Sequence, residues 1–208
     1  MRTKTTLQSL WSAACLVSAL AACTAGDAAP PEYQYAVRAH GAAGDGAAND
    51  TAAVQAAIDA CATAGGGAVY FAPGTYSCGS LHLKSHVTLW LDNGAIIKGR
   101  THKSDYDPYE TLDFKNDADV ETSFFHQSLL WGEDIEHIAI AGFGDIDSGF
   151  KSRGGPKPIA LKRCRFVDIR GIRILNAPNY AISLLGSDYA VIDGVTILNA
   201  FADGIDPD

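Results

Sequence analysis

The sequence predicts an all-β solenoid of short stacked coils, closed at its start by one amphipathic helix. Three observations predict it. Ile169-Arg170-Gly171-Ile172-Arg173-Ile174-Leu175-Asn176-Ala177 recurs as Ile192-Asp193-Gly194-Val195-Thr196-Ile197-Leu198-Asn199-Ala200, at an offset of 23 residues. A repeat of that length, built from short β-branched runs, buries its apolar face only against the neighbouring coils. Short runs of alternating apolar residues separated by Gly, Asn, Asp or Pro fill the chain from residue 68 onward. Only one stretch carries a helical period.

Taken in order, the first element is a targeting segment and no part of the fold. Arg2 and Lys4 precede an uncharged, mostly apolar stretch from Leu7 to Ala22, too short for a convincing membrane span, so residues 1–22 read as a secretory signal. Leu20-Ala21-Ala22-Cys23 resembles a lipobox, which makes Cys23 the expected lipidation site and residues 23–32 a tether. The expected location is therefore outside the cytoplasm, as a periplasmic, outer-membrane or cell-surface lipoprotein, or otherwise secreted. Membrane contact is expected through that lipid alone. Removal of residues 1–22 takes Arg2 and Lys4 with it, leaving 14 basic against 24 acidic residues, a net charge of −10. Such a balance argues against nucleic acid as a partner.

Residues 33–46 read as a short strand and a glycine turn. Asn49-Asp50-Thr51 then offers a helix start, and Val54, Ala57, Ile58 and Cys61 fall at i, i+3, i+4 and i+7 until Gly65-Gly66-Gly67 stops the helix. Strand-like runs follow at 68–71, 80–83, 87–91, 95–97, 135–140, 165–169, 172–175, 180–184, 189–192 and 195–198. Val87-Thr88-Leu89, Ile138-Ala139-Ile140, Ile172-Arg173-Ile174 and Val195-Thr196-Ile197 share one in-out-in pattern. Coils stacked at about 4.8 Å would place Ile172 under Val195, Ile174 under Ile197, and Arg170 under Asp193 as an outer ion pair. Residues 99–128, rich in aromatics and acids, fit no coil and read as a long loop of the kind that often walls a cleft.

Cysteines and charge give two further expectations. Cys61 and Cys78 lie 17 residues apart across a glycine turn, and export makes a disulfide between them plausible, with Cys164 free. No paired Cys or His spacing suggests zinc, and no cofactor is expected. Residues 151–173 carry eight Lys or Arg and one acid, Asp168. That local excess suits either solvated turns or contact with an anionic polysaccharide through Arg165, Arg170 and Arg173.

The motifs resemble a known family. The run from Asp50 to Cys61, then Gly65-Gly66-Gly67-Ala68-Val69-Tyr70-Phe71-Ala72-Pro73-Gly74-Thr75-Tyr76, resembles the start of pectin-degrading β-helix proteins. Leu83-Lys84-Ser85-His86-Val87-Thr88-Leu89, with Asn93-Gly94-Ala95 after it, continues the match. Gly142-Phe143-Gly144-Asp145-Ile146-Asp147, Asn176-Ala177-Pro178 and Ala202-Asp203-Gly204-Ile205-Asp206 are similar to coils of polygalacturonase-type glycoside hydrolases of family 28. The resemblance covers roughly residues 33–208. It implies a right-handed parallel β-helix, a pectic galacturonan as partner, a monomer when complete, and hydrolysis with inversion. Its site carries three Asp, a His and an Arg–Lys pair. Only the first Asp maps here, onto Asp203, as the water-activating base, with Asp206 in support; Phe201-Ala202 replaces the family's Asn-Thr. The other motifs would lie beyond Asp208, so the expectation is an N-terminal portion of a β-helix, lacking turnover as it stands. Two alternatives stay open: a non-catalytic β-helix that binds anionic polysaccharide, and a pectate-lyase-like enzyme holding calcium through Asp203, Asp206 and Asp208.

Overall fold

The computed structural model describes residues 35–207, apart from residues 114, 116 and 119. The signal, Cys23, the tether and Asp208 lie outside the described residues. The chain winds through three parallel sheets in rotation, I then II then III, except in the first coil, where a helix takes the place of a sheet III strand. Sheet I stacks Tyr35–Ala36, Gly67–Phe71, Val87–Leu91, Glu136–Gly142, Arg165–Arg170 and Asp188–Asp193. Sheet II stacks Asp45–Asn49, Gly74–Cys78, Ala95–Gly99, Asp145–Asp147, Arg173–Leu175 and Thr196–Leu198. Sheet III stacks Leu81–His82, Ser128–Glu133, Lys157–Lys162, Ile182–Leu185 and Ile205–Pro207. The architecture is a parallel β-helix.

Three inward columns form its core. Val69, Leu89, Ile140, Ile169 and Ile192 stack in sheet I. Tyr76, Ile97, Ile146, Ile174 and Ile197 stack in sheet II. Leu81, Leu130, Ile159, Ile182 and Ile205 stack in sheet III. Each column places like on like at one coil's rise, so burial is continuous along the axis although no strand exceeds seven residues. The predicted Ile174–Ile197 rung is present, and Arg170 lies opposite Asp193 with Nη1 3.6 Å from Oδ2. One refinement concerns the in-out-in triplets. Val87–Leu89 and Ile138–Ile140 belong to sheet I, whereas the triplets ending at Ile174 and Ile197 belong to sheet II, so the pattern marks two columns rather than one.

The helix α1, Thr51–Thr63, buries Val54, Ala57, Ile58 and Cys61 over the first coil, against Gly67–Phe71 and Leu81–His82. Its start differs in detail from the expectation. Asp50 turns its carboxylate back to accept the Ala43 and Gly44 N–H groups at 2.7 and 3.1 Å, and Asn49 Oδ1 receives the Thr51 N–H instead. Gly66, at φ +111°, ends the helix where a Cβ would stand 2.4 Å from the His86 carbonyl oxygen.

Candidate functional site

Sheet III presents an outward column of His82, Trp131, Ala160, Ser183 and Asp206, set by the same register that turns Leu81, Leu130, Ile159, Ile182 and Ile205 inward, the first four of them buried. The column changes character along the axis. Over its first two coils it is roofed by the long segment between Gly99 and Ser128, which contains a one-turn 3-10 helix, Lys103–Asp105, and a one-turn helix α2, Val120–Ser123. Asp107 Oδ2 pins that segment to the sheet, 2.6 Å from His82 Nε2 and 2.8 Å from the Trp131 Nε1 donor. The His126 ring stacks on Trp131 at 4.0 Å, and its Nε2 lies 2.6 Å from Glu133 Oε2. Glu110 accepts the Phe125 and His126 N–H groups and sits 3.6 Å from Lys162 Nζ. Burial raises the Glu133 carboxyl, but hydrogen bonds from His126, Lys162 and Arg163 outweigh that and hold it below the usual carboxylate range.

Past this roof the outward residues become small. Ala160 and Ser183, both buried, lead to Asp206, beside the turns that carry the chain from sheet II into sheet III. Asp203 sits on the last of these turns. Its carbonyl oxygen accepts the Ala181 N–H at 3.0 Å, and Gly204 accepts the Ile182 N–H at 3.1 Å, which stacks this turn on the one before. Asp203 precedes the strand Ile205–Pro207 and is exposed. Asp206 is half-buried on the outer face of that strand. The two carboxylates thus share one coil, one on an exposed turn and one on the outer face of the strand that follows. Asp208, the third oxygen of the calcium alternative, lies outside the described residues.

The basic stretch does not converge. Arg165 and Arg170 lie on sheet I and Arg173 on sheet II. The Arg165 guanidinium lies over the Phe166 and Tyr189 rings at 5.3 and 5.8 Å. Arg170 pairs with Asp168 and Asp193, and Arg173 grips Asp145 with two hydrogen bonds of 2.6 and 2.7 Å. Lys162 and Arg163 meet Glu133, and Arg153 meets Glu121. Acids from other coils answer charges that look unopposed along the chain. Lys157 is 1% exposed, with Nζ donating to the Phe124 carbonyl at 3.1 Å.

The Cys61–Cys78 disulfide is corrected: both thiols are free and buried, as is that of Cys164. Gly79 N–H donates to Thr51 Oγ1 at 2.8 Å, so Cys78 neighbours the start of α1. Cys61 lies ten residues along α1, about 15 Å at the helical rise per residue. A disulfide needs its Cα atoms within about 7 Å.

Comparison with known proteins fits this geometry. Residues 35–127 match the family described as rhamnogalacturonase A/epimerase, pectate lyase-like. A probable polygalacturonase of Vitis vinifera is 28% identical over 187 residues, which cover 81% of this chain and 38% of that protein. An exo-poly-alpha-D-galacturonosidase of Dickeya chrysanthemi is 35% identical over 123 residues, 57% of this chain and 20% of that protein. The chain therefore spans about two-fifths of the one and one-fifth of the other. A hyperthermoactive exopolygalacturonase from Thermotoga maritima superposes with a TM-score of 0.70 at 23% identity, covering 83% of this chain and 48% of that one, which establishes the fold as a right-handed parallel β-helix. From coil register and relatives together, the chain has the right-handed parallel β-helix fold and is similar in sequence to pectate-lyase-like and polygalacturonase proteins.

Proposed function

We propose that this protein takes part in hydrolysing pectic galacturonan, with the polymer lying along the outer face of sheet III and Asp203 activating the attacking water. The observation that carries the reading is the placement of Asp203 on an exposed turn stacked on the turn before it, with Asp206 half-buried on the outer face of the strand that follows in the same coil. The relatives' names supply the substrate class. In an inverting attack the base takes a proton from water as its oxygen bonds to the anomeric carbon, and the glycosidic bonding pair leaves with the aglycone oxygen. That oxygen takes a proton from a second carboxyl group about 6.5–9.5 Å from the base. The Asp206 carboxylate supports the step by placing negative charge beside the oxocarbenium-like carbon. The reading of residues 1–22 as a signal and of Cys23 as a lipidation site supports a location outside the cytoplasm.

Reducing ends released from polygalacturonate, with the anomer of the fresh product followed by NMR, test the reading. Inverted product is expected only where a following coil supplies the second carboxyl group as proton donor, and Asp203→Asn is then expected to lower the rate about 10²–10⁴-fold. An ultraviolet-absorbing unsaturated product, lost on chelation, would replace hydrolysis with calcium-dependent elimination. Polymer binding with no product of either kind would make this a binding β-helix.

A further inference from the structure

At the corner where each coil leaves sheet III and enters sheet I, four rings stack along the axis, at the opposite end of the sheet III strands from the Asp203 turn. His86, His137, Phe166 and Tyr189 occupy equivalent positions on successive coils, all in the left-handed region at φ 63°, 55°, 54° and 56°. Neighbouring rings lie 5.1, 4.6 and 5.0 Å apart and are tilted by 17°, 12° and 9°. The backbone ties the two histidine turns together. The His86 N–H donates to the Glu136 carbonyl at 3.0 Å, and Thr88 pairs with Ala139 two residues further on. Both imidazoles are exposed.

The ladder divides in two. Phe166 and Tyr189 form an aromatic half with the Arg165 guanidinium over their rings, where stacking and cation–π attraction account for the residues present. The other half is a pair of imidazoles, which stack less apolar surface than phenyl rings but carry two nitrogens each. Among the described residues no hydrogen-bond or ion-pair partner meets the ring nitrogens of His86 or His137. Three other histidines are engaged: His40 Nδ1 lies 3.2 Å from the Ala36 carbonyl oxygen, His82 meets Asp107, and His126 meets Glu133.

We propose that His86 and His137 form a two-point site for a divalent transition-metal ion of the kind imidazole prefers, Cu²⁺ or Zn²⁺. Metal–nitrogen bonds of about 2.0–2.1 Å at a near-tetrahedral angle place the two nitrogens about 3.3 Å apart. The rings stand 5.1 Å apart, so each tip tilts towards the other by about 1 Å, a rotation open to exposed side chains. Among the described residues no cluster of three or more His, Cys, Asp or Glu forms, so water completes the coordination. The ion clips together the two coils of the ladder with the longest chain between them: 51 positions separate His86 from His137, against 29 and 23 for the next two steps. An unfolded chain does not hold two such distant imidazoles together, so the ion favours the folded state. The site does not rest on the pectic reading above.

Titration of the untagged, full-length protein with Cu²⁺, Zn²⁺ and Mg²⁺ tests it, by calorimetry and by thermal unfolding. Saturable binding of one Cu²⁺ or Zn²⁺ is expected, tighter for Cu²⁺, with a Tm that rises until the site fills; Mg²⁺, which takes oxygen ligands, should move neither. Paramagnetic Cu²⁺ should broaden the ring resonances of His86 and His137 before those of the other histidines. His137→Phe keeps a ring in the ladder and removes the ligand, so Tm without metal should hold while Zn²⁺ affinity falls about tenfold or more. His86→Gln should lower the affinity alike, and a change at the exposed His102, to Gln, should leave it as it is. Absence of saturable Cu²⁺ and Zn²⁺ binding, affinity unchanged in both the His86 and His137 variants, or an equal loss in the His102 variant would overturn the proposal.

Discussion

The stacked columns predict that one truncation costs very different amounts one coil apart. Ile174 is 0% exposed and sandwiched between Ile146 and Ile197 in sheet II. Ile197 is partly buried and stacks on Ile174. Ile→Ala removes three carbons, worth about 0.8 kcal/mol each when fully buried, so about 2.4 kcal/mol is lost at Ile174 from transfer alone. A closed void is left there as well, since both neighbouring rungs are held by their own strands. Measured losses for such changes run about 2–5 kcal/mol, and Ile174→Ala belongs near 3–4 kcal/mol. At Ile197 the transfer loss is about half as large and the void opens to solvent, giving roughly 1–1.5 kcal/mol. Urea denaturation followed by far-ultraviolet circular dichroism, analysed with a common m-value, measures both. Equal losses at the two positions, or a larger one at Ile197, would refute the account of the core as stacked columns whose burial comes from neighbours on both sides.

Two further outcomes are expected. The Glu133 carboxyl is held below its usual value, so its ion pairs contribute stability in full above the ordinary glutamate range and lose it as the pH falls through the lowered folded value. Trp131 fluorescence and hydrogen exchange across residues 105–127 should therefore stay flat at neutral pH and report loosening of the roof only in the acid range; Glu133→Gln should show the loosened state at pH 7. Burial raises the Cys61, Cys78 and Cys164 thiols, so these should label with a thiol reagent only on unfolding, all three then reacting. A mass two hydrogens short before reduction would contradict that.

Much of the fold is legible from the chain because coil register is written in side-chain alternation. The run 87–91 emerges as the strand Val87–Leu91, and α1 buries the four residues its spacing selects. Asp45–Asn49, Gly74–Cys78 and Ile205–Pro207 escape, and so do two strands buried on both faces. Lys157–Lys162 and Ser128–Glu133 lack alternation because the 99–128 segment and neighbouring turns cover their outer side. Asp145–Asp147 escapes for a different reason, being three residues long with acids on either side of Ile146. At the site, Asp203 is readable from its motif. The roof built by His82, Asp107, His126 and Trp131 is not, because those residues come from segments up to 49 positions apart and carry no shared spacing.

By itself, then, the sequence determines the repeat, the capping helix, the in-out assignment of most strands and the coil that carries Asp203, since each of these is local or recurs at a fixed offset. Only the tertiary structure decides how charges and thiols pair. Arg173 meets Asp145 across 28 residues, and Lys162 meets Glu110 across the 99–128 segment. Cys61 and Cys78, close in the chain, are kept apart by the length of a helix. The physical reason is common to all three: a solenoid makes neighbours of residues one coil apart, and the length of each coil is set by its turns, which chain distance does not disclose.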